Sequence, residues 1–129
     1  MMSEWRDASP VPTESAEQRT LFEWAARMCG RWPELRLMYH IPNEGKRTVR
    51  GGARLKAEGL KSGVPDICLP VARGEHHGLY IELKRRKNAR VTKEQLEWIE
   101  ELVAKGYVAA VCRGCDEAID VITGYLSGR

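Results

Sequence analysis

The sequence predicts an α/β domain, a mixed β-sheet with helices packed on it. Two segments place apolar residues at helical spacing, Leu21, Trp24, Ala25 and Met28 in one and Leu96, Ile99, Leu102 and Val103 in the other. Apolar runs with strand character lie between and after them, at 66–71, 79–84 and 107–112. Glycine and proline clusters punctuate the chain, so its hydrophobic pattern switches between the helical and the strand period.

The first helix is expected to open at Ser15, which with Gln18 has the spacing of a capping box, and Gly30 is placed to end it. Carrying its apolar stripe back four residues reaches Glu17, which puts a carboxylate on the buried track. A metal, a metal-bound water or a basic side chain would compensate that burial; a position at the helix edge would make Glu17 a partner of the helix dipole instead. Leu35 to Ile41 reads as a short strand that stops at Pro42-Asn43-Glu44-Gly45. Thr48 to Leu60 is basic, holds Gly51, Gly52 and Gly59, and reads as a short helix or a mobile arm. A strand from Asp66 to Val71, a loop from Ala72 to Gly78 and a strand from Leu79 to Lys84 form, most simply, a hairpin. Thr92 opens a strong helix that Gly106 ends. Tyr107 to Cys112 follows as a strand, and Asp116 is a suitable N-cap for a last helix reaching Leu126. The order is helix, three strands, helix, strand, helix, in one domain over 15–129 behind a flexible polar segment, 1–14.

With 129 residues, 43% of them hydrophobic and 30% charged, the composition is that of a globular protein. No apolar run approaches the roughly 20 residues of a membrane span. The first residues lack the basic start and apolar centre of a signal peptide, so an intracellular location, away from membranes, is expected. The net charge of +3 is small but unevenly placed. Lys46, Arg47, Arg50, Arg54, Lys56 and Lys61 form one basic cluster, and six bases run from Lys84 to Lys93 without an acid. The acids gather at Glu94, Glu97, Glu100 and Glu101. One basic face opposite an acidic helix suits a polyanionic partner such as nucleic acid; single runs of this kind are ordinarily just solvated surface.

Both basic clusters flank the fragment Gly63-Val64-Pro65-Asp66 and the strand Leu79-Tyr80-Ile81-Glu82-Leu83-Lys84. In a strand, residues two apart share a face, so Glu82 and Lys84 project together while Leu79, Ile81 and Leu83 face the other way. With Asp66 added from the start of a neighbouring strand, two carboxylates can hold a hard cation beside a lysine, an arrangement suited to phosphate chemistry. Each residue alone has a bland reading: a Pro-Asp turn for Asp66, a surface ion pair for Glu82 and Lys84.

On this element order, Gly63-Val64-Pro65-Asp66 with Glu82-Leu83-Lys84 resembles the PD-(D/E)xK nuclease superfamily, most nearly its virus-type replication-repair branch, the VRR-NUC family. Glu17, His40-Ile41-Pro42-Asn43 and the run from Gly52 to Asp66 extend the resemblance over roughly Ser15 to Tyr125. It implies a restriction-endonuclease-like α-β-β-β-α-β core and a Mg²⁺- or Mn²⁺-dependent deoxyribonuclease leaving 5′-phosphate and 3′-hydroxyl ends. Asp66, Glu82 and the carbonyl of Leu83 would bind the metal, with Glu17 joining through water. Lys84 would orient or deprotonate the attacking water, and Gln95 matches a glutamine just beyond the strand. Thr92 and Gln95 also have the spacing of a capping box, which needs no substrate. His40 and Asn43 are expected near the scissile phosphate, and Lys46, Arg47, Arg50, Arg54, Lys56, Lys61, Arg85, Arg86 and Lys87 on the DNA. A small domain without a reader module is expected to take its specificity from DNA shape or from a second subunit. A homodimer acting on branched duplex DNA such as four-way junctions is the expectation, with Thr48–Leu60 as dimer contact or exchanged arm, in replication, repair or recombination in a bacterium or phage-infected cell.

Two other classes compete. One is a non-catalytic nucleic-acid-binding module of the same fold, against which Asp66, Glu82 and Lys84 speak. The other is a thiol-redox protein using Cys112 and Cys115, the ends of a C-x-x-C motif. No second pair completes a zinc tetrahedron, although His76 and His77 could contribute, and disulfides are not expected in a reducing compartment. The four tryptophans do not line up as a stacking platform for bases.

Overall fold

The computed structural model describes residues 10–42 and 49–128. Helix α1 spans Glu14–Arg27 and is capped by Thr13, whose hydroxyl accepts from the Ala16 N–H at 3.0 Å. The cap is therefore Thr13 rather than the expected Ser15, which instead accepts from Arg19. A 3₁₀ turn, Met28–Gly30, ends the helix. A second 3₁₀ segment, Pro33–Leu37, takes the first three residues of the strand expected from Leu35 to Ile41. Proline at its start fixes a helical φ and removes a donor that a strand would use. Strand β1 is left with Tyr39–His40.

The described part of the basic stretch is helical, α2, Val49–Ala57. Then follow β2 (Ile67–Leu69), β3 (Leu79–Lys84), α3 (Lys93–Ala104), β4 (Val108–Arg113) and α4 (Cys115–Leu126). The sheet order is β1-β2-β3-β4, with β1–β2 and β2–β3 antiparallel and β3–β4 parallel. The parallel step requires a crossover, which α3 supplies while lying against β4. This is the α/β fold that the element order predicts.

Register settles which residues face the core. Ile67 pairs with Ile81 and Leu69 with Leu79, so both strands turn their aliphatic side chains to one face. There they pack with Leu21 and Ala25 of α1 and with Ala118, Ile122 and Leu126 of α4. Each fully buried aliphatic side chain contributes about 2 kcal/mol. That core pins the pleat of β3 and leaves Glu82 and Lys84 on its opposite face.

The start of α4 depends on a distant residue. Its N-cap is Gly114 at φ 91°, not the expected Asp116, and glycine has no side chain to cap with. Glu17 of α1 fills the gap, its Oε1 accepting from the Cys115 N–H at 3.1 Å. A Cβ on Gly114 would come within 2.9 Å of the Arg86 side chain, so the close approach requires glycine.

Candidate active site

Asp66 lies where β2 begins, 4% exposed, and its Oδ2 accepts from the Leu83 N–H at 2.8 Å. Its own carbonyl accepts from the Ile41 N–H at 2.6 Å and lies 3.0 Å from His40 Nδ1. Asp66 is thus fixed to β3 by its side chain and to the end of β1 by its backbone. The approach to it is clamped onto α3. Trp98 Nε1 donates to the Ser62 carbonyl at 3.0 Å, and Gly63 sits at φ 89° where a Cβ would fall 2.8 Å from the Glu94 backbone.

Glu82 is 2% exposed and projects from β3 beside Asp66. Its Oε2 accepts from Gln95 Nε2 at 3.1 Å and stands 3.5 Å from Lys84 Nζ. Its Oε1 is buried without any hydrogen-bond partner. Glu14, in the first turn of α1, completes the group: carboxylate oxygens of Glu14, Asp66 and Glu82 all lie within 4.8 Å of one another. Burial, and then the Asp66 charge, push Glu82 up to about 8 from the usual carboxylate range. Burial likewise raises Asp66, with the Leu83 N–H and Lys84 opposing, and raises Glu14, with Asp66 adding to the effect.

Helix α1 thus presents Glu14, not Glu17, to the two strand acids. Glu17 is 3% exposed and accepts from Arg86 Nε at 2.7 Å as well as from Cys115. Burial opposes its charge, but Arg86 and the Cys115 N–H outweigh it and hold Glu17 below its usual range. Gln95 closes the capping box, its Oε1 accepting from the Thr92 N–H at 2.8 Å, while its Nε2 reaches Glu82. Glu14 could have been found by stepping the apolar stripe back a full two turns from Leu21.

Of the residues expected on DNA, Arg54, Lys56, Lys61 and Lys87 are exposed, with Arg54 of α2 3.8 Å from Glu58 just past the helix end. Arg86 is engaged by Glu17 and lies 3.7 Å from Asp116. Arg85 is half-buried, and its Nε has no partner. Asn43, Lys46 and Arg47 fall outside the described residues, as does the side chain of Arg50. All four cysteines are free. Burial pushes the Cys112 thiol up to about 12 and raises Cys115 too, the reverse of what a reactive dithiol needs.

Three carboxylates with one orphaned buried oxygen fit a hard divalent cation, which prefers oxygen ligands. The model of the VRR-NUC domain family matches residues 14–116, from the first carboxylate of this group to the start of α4. The chain belongs to the VRR-NUC family. A solved structure described as a VRR_NUC domain protein superposes with a TM-score of 0.80 at 34% identity, covering 93% of both chains. No curated protein matches the chain. As a VRR-NUC chain it carries a nuclease-type fold. No helix among the described residues is long and apolar enough to cross a membrane.

Proposed function

We propose that the chain is a divalent-metal-dependent endodeoxyribonuclease hydrolysing phosphodiester bonds. The observation that carries this reading is Glu82 Oε1, a buried carboxylate oxygen without a partner amid two further carboxylates. Leaving such an atom unsatisfied costs about 1–3 kcal/mol, a cost that binding a cation removes. Asp66, Glu82 and Glu14 would hold Mg²⁺ or Mn²⁺, with the Leu83 carbonyl as a further ligand, and Glu14 takes the part expected of Glu17. Such an ion acts as a Lewis acid at the phosphate and lowers the pKa of a bound water.

The chain's own residues divide the remaining work. Lys84, 3.5 Å from Glu82 Oε2, brings an ammonium to the point where negative charge develops on the phosphoryl oxygens and orients the attacking water. Gln95 holds Glu82 Oε2 and so leaves Oε1 for the ion. The Leu83 N–H fixes the rotation of Asp66. His40 and the exposed bases Arg54, Lys56, Lys61 and Lys87 steer and seat the DNA backbone, together with Asn43, Lys46, Arg47, Arg50, Arg85 and Arg86.

The substrate we assign is branched duplex DNA such as a four-way junction, cut by a homodimer that offers two sites, inside the cell during repair or recombination. The contact between copies is assigned to the segment Thr48–Leu60, whose described part includes the basic helix α2. The test compares cleavage of labelled junction, flap, linear duplex and single strand in Mg²⁺, Mn²⁺ or EDTA, alongside light scattering. A dimer with the junction cut fastest is expected. Equal rates on all four DNAs, or a monomer at micromolar concentration, would remove the junction assignment.

A further inference from the structure

The face of the sheet that carries Asp66 and Glu82 continues into a row of aromatic side chains that the nuclease reading leaves unused. Tyr39 pairs with Cys68, and Cys68 with Tyr80. Cys68 is two residues from Asp66 and Tyr80 two from Glu82, so this row shares the face of the acids about 7 Å along the strands. In that register Cys68, 4% exposed, lies between Tyr39 and Tyr80. Tyr80 meets Tyr107 edge-on, ring centroids 5.4 Å apart, and Tyr107 meets His77 at 5.7 Å.

Packing explains the inner members of this row but not the outer one. Tyr39 is 49% exposed on the edge strand β1, beside Leu37 at 52%. Its strand partner Cys68 is buried while its own ring borders solvent, so the ring has apolar surface to offer. Asp66 lies one diagonal away in the register, with Glu82 beside it on the next strand. Bases in an intact duplex already stack on one another and cannot use such a surface; an unpaired base can.

We propose that Tyr39 is a stacking platform for an unpaired nucleobase in the DNA strand whose phosphate lies at the carboxylates. The substrate then has an unpaired or extruded nucleotide beside the cut, as at a gap, flap or junction crossover. This placement rests on the nuclease reading of the acidic site.

The test uses the full chain in Ca²⁺, with strands checked intact on a gel. Its probes are a duplex bearing one unpaired 2-aminopurine and the same duplex fully paired. Wild type and Tyr39→Phe are expected to quench the unpaired fluorophore. Tyr39→Ala is expected not to, and to bind the unpaired probe about tenfold more weakly, with its affinity for the paired duplex unchanged. Quenching by Tyr39→Ala equal to wild type overturns the proposal, as does an equal loss of affinity for both probes. A lower mass for Tyr39→Ala by light scattering overturns it too, by assigning the ring to a contact between copies. Cleavage in Mn²⁺ keeps the two readings separate: quenching without cutting sinks the nuclease reading alone, and cutting without quenching sinks the platform alone.

Discussion

Gln95 donates to Glu82 Oε2 at 3.1 Å through its Nε2 while its Oε1 closes the capping box with the Thr92 N–H at 2.8 Å. One amide serves both because its two ends differ: the oxygen accepts from the helix start and the nitrogen donates to the acid. The start of α3 and one oxygen of the buried carboxylate are therefore set by the same side chain.

Gln95→Glu separates these parts, since a carboxylate can still accept from Thr92 but cannot donate to Glu82. Cleavage is expected to fall at least about tenfold, the effect of losing one positioned hydrogen bond, with the melting temperature close to wild type. Gln95→Ala should lose the cleavage and also about 1 kcal/mol of stability with the cap. Activity lost in Gln95→Ala alone would confine the residue to the cap.

Glu14 and Glu17 lie three residues apart on α1 and are expected to part company on substitution. Glu14→Gln should weaken divalent-cation binding, read by calorimetry, and leave thermal stability near wild type. Glu17→Gln should keep the cation affinity and cost about 2 kcal/mol, because the Arg86 and Cys115 contacts lose a charged acceptor. The reverse pattern would return the ligand role to Glu17.

Stability should depend on pH and cation together. Glu82 is raised from 4.5 to about 8, and Asp66 and Glu14 shift the same way. A carboxyl raised in the folded state favours folding while protonated, so this contribution is full below about 4.5 and is lost as pH climbs toward about 8. Without divalent ion these acids should therefore lower the melting temperature between pH 5.5 and pH 8. Millimolar Mg²⁺ should raise it several degrees at pH 8 and hardly at pH 5.5. Glu82→Gln, which cannot ionise, should lose most of both effects, as a thermal-shift series would read.

Lys84→Met keeps an apolar stem of similar length and removes the ammonium beside Glu82 Oε2. Cleavage should drop by about a hundredfold or more, the range for losing one group that stabilises developing charge. Mn²⁺ should still bind, and cation binding lost in step with cleavage would make Lys84 part of the fold of the site rather than of its chemistry.

Legibility followed locality. The aliphatic alternation of β3 put Glu82 and Lys84 on the face away from the core, and the Thr92 box marked the start of α3 to the residue. The long strand expected from Leu35 failed because Pro33 opens a 3₁₀ segment there. The Asp116 cap failed because Glu17, 98 residues away in sequence, caps α4 through the Cys115 N–H. The apolar stripe of α1 carried back one turn reaches Glu17, whereas the carboxylate grouped with Asp66 and Glu82 is Glu14, in the turn before it. Periodicity identifies a helix face; it does not say which turn lies over the end of a sheet.

The most direct test is cleavage of a labelled four-way junction at pH 8 by wild type, Asp66→Ala and Glu82→Gln, each in Mn²⁺ and in EDTA. The acidic cluster predicts cutting by wild type in Mn²⁺ only, and none by either variant. Cutting that survives EDTA or the loss of either carboxylate, or a wild-type chain that binds the junction in Mn²⁺ without cutting it, would contradict a metal-dependent nuclease site at Asp66 and Glu82.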